Sequence, residues 1–138
     1  MAMNLESKTV FITGAAGFIG FNLAMQLLKT TESIHIVGID TMNDYYDVNI
    51  KEWRLSQIEE CVREHEKSSW IFIHGSIAER SLVDKIFEER KPDIVVNLAA
   101  QAGVRYSISN PDAYVESNLI GFYNILEACR HSYDNGAK

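Results

Sequence analysis

The chain has 138 residues, 46% of them hydrophobic, which suits one domain with a real core and excludes a complete two-domain enzyme. Its net charge of −6 excludes the basic surface that nucleic acid or an anionic membrane would select. The two cysteines, Cys61 and Cys129, are far apart, and His35, His65, His74 and His131 lack metal-ligand spacing, which excludes a disulfide framework and a metal site. In chain order, the apolar run at 9–13 reads as a first strand. Ile19, Leu23, Leu27 and Leu28 at helical spacing predict a helix from Phe18 to Lys29. A second strand covers 34–39, and 40–50 is a polar, tyrosine-containing loop. Leu55, Ile58 and Val62 predict a helix from Lys51 to Lys67. Trp70–His74 is a third strand, closed by Gly75. Leu82, Val83, Ile86 and Phe87 form the stripe of a helix that ends before Pro92, and 94–98 is a fourth strand. Asn110-Pro111 suits a helix start with proline at its first position. The helix that follows carries Val115, Leu119, Phe122, Ile125, Leu126 and Cys129.

Strands that are apolar throughout are buried on both faces, as in a parallel sheet covered by helices. Right-handed crossovers then give an α/β, doubly wound parallel sheet of Rossmann type in the order 3-2-1-4. Such sheets normally continue past a fourth strand, so residues 1–138 read as an incomplete domain. No signal peptide is recognisable, and no run approaches ~18 apolar residues, so a soluble cytoplasmic protein is expected.

From the end of the first strand into the first turn of the helix run Gly14, Gly17 and Gly20, spaced G-x-x-G-x-x-G. Such a turn lets Gly14 bend out of the strand, lets backbone at Gly17 approach a pyrophosphate, and lets the helix pack closely at Gly20. The helix N-terminus then offers unpaired N–H groups and a positive dipole end to the phosphates. Asp40 ends the second strand at the ~20-residue spacing from which a carboxylate accepts hydrogen bonds from an adenosine ribose. Strand, glycines, helix, strand and acid together point to dinucleotide binding.

The run Asn97-Leu98-Ala99-Ala100-Gln101-Ala102-Gly103-Val104-Arg105-Tyr106-Ser107, with Asn110-Pro111-x-x-Tyr114 and Asn118-x-x-Gly121, resembles the extended short-chain dehydrogenase/reductase family. Within it, the chain is most similar to the UDP-glucuronate 4-epimerases, which also share the loop Asp40-x-x-Asn43-Asp44-Tyr45-Tyr46-Asp47 with Lys51. The resemblance runs from Lys8 to about His131. It implies NAD as cofactor, with Gly14, Gly17, Phe18, Ile19 and Gly20 around the pyrophosphate. Asp40 would hold the adenosine ribose and repel the 2′-phosphate of NADP, and Asn43 would add a polar contact. Ser76, with Ile77 beside it, stands where the family usually carries an aspartate directed at adenine. Leu98, Ala99, Ala100 and Asn118 would lie along the nicotinamide ribose. Gln101 and Arg105 would meet the substrate, a UDP-hexuronate. Asn97 replaces a histidine common in the family. Plainer readings stay open: packing for Leu98–Ala100, satisfaction of a backbone group for Asn118, closure of the fold for Tyr45 and Tyr46, and a solvated charge for Arg105.

The implied reaction takes hydride from C4 of the sugar to NAD⁺, rotates the 4-keto sugar, and returns the hydride to its other face. The family's base is a tyrosine four residues before a lysine, whose charge lowers the phenol pKa. None of the six tyrosines here has that partner, so no catalytic residue is assigned in this chain and the substrate domain is expected to be absent. Another nucleotide-sugar epimerase or 4,6-dehydratase, or a non-catalytic NAD-binding module, is the alternative. A fourth strand left as an edge, together with an apolar 119–126 helix face, predicts self-association or a homodimer. Incubated with UDP-glucuronate and NAD, the 138-residue chain is expected to give no UDP-galacturonate. Chromatography of the sugar nucleotides against a boiled control checks this, and product above that control contradicts it.

Overall fold

A computed structural model describes residues 3–137. Four strands, β1 (Lys8–Thr13), β2 (Ile34–Asp40), β3 (Ser69–His74) and β4 (Ile94–Asn97), form one parallel sheet in the order β3-β2-β1-β4. The expected topology is therefore the observed one. Strand side chains alternate between two buried faces. Val10, Ile12, Ile34 and Ile36 point to one side and pack with Ala24 and Leu28 of α1 (Phe18–Thr30) and Ile58 and Cys61 of α2 (Val48–Arg63). Phe11, Val37 and Ile39 point to the other, against Val83, Ile86 and Phe87 of α3 (Arg80–Arg90) and Ile125 and Ala128 of α6 (Phe122–Asp134). Phe11 and Phe87 meet edge to face at 5.7 Å between centroids. Burial pushes the thiols of Cys61 and Cys129 above their ordinary pKa, consistent with packing rather than reactive roles.

Several boundaries differ from the sequence reading, each for a local reason. The second helix begins at Val48, not Lys51, because the Asp47 carboxylate accepts from the Asn49 amide at 2.9 Å and caps it. It ends at Arg63 rather than Lys67, since a turn closed by the Ser68 amide on the His65 carbonyl delivers the chain into β3. β4 stops at Asn97: the amides of Leu98 and Ala99 both donate to the Thr13 hydroxyl, at 2.9 and 3.0 Å, and leave the ladder. The expected long helix is divided into α5 (Pro111–Tyr114), a π-helical segment (Val115–Gly121) and α6. Asn110 caps α5 with proline at its start, as its sequence implies. A short helix, α4 (Tyr106–Ser109), precedes it and has no periodic signal.

The connections that leave the carboxyl ends of β1, β2, β3 and β4 gather along one edge of the sheet. Among the described residues β4 pairs only with β1, and Leu119, Phe122 and Leu126 are substantially exposed. Among the described residues, no helix is long and apolar enough to cross a membrane.

The turn after β1 depends on two glycines for different reasons. Gly14 has φ +66°, and a Cβ there would lie 2.9 Å from the Ala99 nitrogen. Gly20 has an ordinary helical backbone, but its Cβ would sit 2.3 Å from the Gly14 carbonyl oxygen. The obstacle at Gly20 is therefore main chain, which cannot rotate away. Gly20→Ala is expected to destabilise the fold by about 1–3 kcal/mol through overpacking, read as a lowered urea midpoint at unchanged slope.

Candidate functional site

A cleft of about 730 Å³ opens over the carboxyl ends of the strands. Gly14, Gly17, Phe18, Asp40, Asn43, Ser76, Ile77, Leu98, Ala99, Ala100 and Gln101 all line it, although they come from four separate connections. This is the crevice where open parallel sheets bind ligands, at the switch point between β1 and β4. Gly20 instead lies in the packing beneath the turn, and Ile19 is exposed outside the cleft lining.

The glycine turn is held from below. The Ala15 amide donates to the Ile39 carbonyl at 3.1 Å, and the Ala16 amide to the Asp40 carboxylate at 3.1 Å. Gly17 is the N-cap residue of α1 and contributes no capping side chain. The first-turn amides of Phe18, Ile19 and Gly20 thus have no protein acceptor among the described residues and retain their capacity for an anion.

Asp40 is buried, and one of its oxygens accepts from the Met42 amide at 2.9 Å and from the Lys51 ammonium at 3.3 Å. The other accepts from Ala16, so the carboxylate uses three of roughly four acceptor positions and keeps one for a hydroxyl. Lys51 also donates to the Asn43 side-chain oxygen at 3.1 Å and lies 5.0 Å from the Tyr46 ring centroid. One turn along α2, Arg54 donates to the Ala16 carbonyl and the Tyr46 hydroxyl. Its guanidinium stands 5.9 Å from the Phe18 ring centroid. In the sequence, Lys51 enters only as part of the loop likeness and Arg54 is not singled out, so neither is given a role in the site there; two basic side chains one helical turn apart do not by themselves show which way they face.

On the opposite wall, the Thr13 hydroxyl donates to Asn97 at 2.5 Å while accepting from the Leu98 and Ala99 amides. Asn97 therefore orients the threonine that turns the chain out of β4. Asn118 pairs with Gln101 in both directions, accepting from its amide at 2.7 Å and donating to its carbonyl at 3.0 Å. Its side chain holds the loop rather than lining the cleft. The Ser76 hydroxyl accepts from the Ala78 amide at 3.1 Å, and buried Asn124 donates to the carbonyls of Ile77 and Ala78. Asn124 gave no motif signal because its role is to satisfy a distant loop.

Arg105 is exposed, lies outside the cleft lining and forms no ion pair among the described residues. At the rim, the Tyr114 hydroxyl donates to the Ala102 and Gly103 carbonyls. Burial, followed by the nearby Tyr45 and Tyr106, pushes its pKa above the ordinary tyrosine value, the wrong direction for a base at neutral pH. Among the described residues, no group of three or more metal-ligating side chains converges.

The Lys51 and Asp40 side chains are 5% and 7% exposed, so each depends on the other for charge compensation. Lys51→Met is expected to cost about 3–5 kcal/mol, because it strands a buried carboxylate. Adding Asp40→Leu should recover a substantial part of that loss. Urea unfolding of the single and double variants checks this, and purely additive losses would contradict the pairing.

Comparison with known proteins gives concordant likenesses. A family model described as GDP-mannose 4,6 dehydratase matches residues 11–138. The chain is 46% identical over 122 residues to Protein CapI of Staphylococcus aureus, covering 88% of this chain and 34% of that one. It is 40% identical over 122 residues to UDP-glucuronate 4-epimerase 2 of Arabidopsis thaliana, covering 88% and 26%. Its structure is similar to that of a UDP-glucuronic acid 4-epimerase point mutant from Bacillus cereus, in complex with UDP-4-deoxy-4-fluoro-glucuronic acid and NAD. The TM-score is 0.75 at 33% identity, covering 89% of this chain and 36% of that one. The chain thus spans about a third or less of the length of the curated relatives named here.

Proposed function

The chain belongs to the GDP-mannose 4,6-dehydratase family, and from that premise we propose that it is the NAD-binding portion of a nucleotide-sugar epimerase acting on a UDP-hexuronate. The observation that carries the reading is the convergence of the glycine turn, Asp40 and the Leu98–Gln101 loop on one cleft at the switch point of the sheet. The unpaired amides at the start of α1 suit a pyrophosphate, and the spare acceptor position on Asp40 suits a ribose hydroxyl. The Ser76–Ile77 loop would face the adenine. Leu98, Ala99 and Ala100 offer a shallow apolar wall to the nicotinamide ribose, while Asn118 holds that wall in place through Gln101. Bound there, NAD would supply reversible hydride acceptance from a sugar carbon. The residues of this chain bind and orient; none is assigned as the base.

The sugar preference rests on likeness to the glucuronate epimerases, with Gln101 and Arg105 as the candidate substrate contacts. Self-association through the exposed β4 edge and α6 face, and a cytoplasmic setting for the two free thiols, belong to the same proposal.

Isothermal titration is expected to find NAD bound more tightly than NADP, because a ribose 2′-hydroxyl can donate to Asp40 and a 2′-phosphate cannot. Asp40→Ala should weaken NAD binding by about 1–3 kcal/mol, measured on the folded fraction because the same change strands Lys51. NADP binding that equals or exceeds that of NAD would remove Asp40 from the ribose site.

A further inference from the structure

We infer that the Asp40 carboxylate fills an oxyanion cradle built from the amides of Ala16 and Met42 and the ammonium of Lys51, and that Lys51 thereby helps determine whether the cleft takes a ribose 2′-hydroxyl or a 2′-phosphate. The inference rests on the proposal that this cleft binds a dinucleotide. Three donors converge on one carboxylate at 3.1, 2.9 and 3.3 Å, from the glycine turn, the loop after β2 and the second helix. Two of them are main-chain groups fixed by the fold. The third is a lysine whose side chain is 5% exposed, and whose other hydrogen-bond partner, Asn43, is neutral.

The pair has no net charge, so simple repulsion by Asp40 does not account for rejection of a phosphate. Rejection follows from hydrogen-bond complementarity. The carboxylate presents only acceptors, and a 2′-phosphate would meet it with more acceptors. Once the carboxylate is shortened away, the same three donors face the cleft without an anion. A phosphate then supplies both the charge and the acceptor oxygens that Lys51 has lost. Arg54, in the same wall, adds a second cation to this end of the cleft, whereas Glu116, the other acidic residue lining it, sits on the π-helical segment.

The test compares the wild-type chain, Asp40→Ser and Asp40→Ser/Lys51→Met by titration with NAD and NADP and by thermal unfolding in formate or an equal concentration of chloride. Asp40→Ser should bind NADP about tenfold more tightly than the wild type does, the factor expected from one charge-assisted hydrogen bond. Formate, a small stand-in for the missing carboxylate, should raise its unfolding midpoint more than chloride does. Both gains should disappear in the double variant. Gains that persist without Lys51, or an Asp40→Ser variant that shows neither, would overturn the inference. Should Asp40→Ser be unfolded in chloride, recovery in formate supports the cradle and failure to recover overturns it. A wild-type chain that binds neither dinucleotide would defeat the proposed function instead, while the formate comparison would still decide the cradle.

Discussion

The buried carboxylate of Asp40 is the interaction on which the cleft depends. It ends the central strand β2 and reaches three other segments at once: the glycine turn through Ala16, its own loop through Met42, and α2 through Lys51. A buried carboxylate is costly unless its acceptors are satisfied and its charge is opposed. Here the groups that meet those needs are also the groups that shape the adenosine end of the cleft. Structural demand and ligand recognition therefore fall on the same atoms.

Thr13 plays a comparable part on the other wall with an uncharged group. Its hydroxyl donates to Asn97 and accepts two amides from the residues that follow β4, so β1 and β4 separate at a fixed point. Gly14 then lies directly against Ala99, too close for any side chain to intervene. Asn118 secures Gln101 of the same loop, and Asn124 secures the loop after β3. On this side of the cleft, polar side chains clamp the backbone, and Gly14, Ala99 and Ala100 line the cleft with small side chains and main chain.

The fold was legible because its signals are local. Uninterrupted apolar strands, helical stripes and the glycine spacing each report on a few neighbouring residues, and a parallel sheet leaves few ways to connect them. Where boundaries differed, a specific hydrogen bond intervened, such as the Asp47 cap that starts α2 early. The π-helical segment was invisible because its apolar positions also fit an ordinary helix. Lys51 and Arg54 escaped as site residues because a charge on a helix facing solvent and one facing a carboxylate leave the same mark in sequence.

By itself, the sequence determined the layered parallel sheet, its strand order and the turn that precedes α1, since backbone sterics and burial periodicity act over short distances. It also marked Asp40 as an acid at the end of β2. Only the tertiary structure decided that this acid is neutralised by Lys51, that Asn118 faces the Gln101 backbone, and that Arg105 lies outside the cleft lining. Those outcomes depend on which charges and polar groups meet after burial. Such meetings are set by packing between segments far apart in the chain.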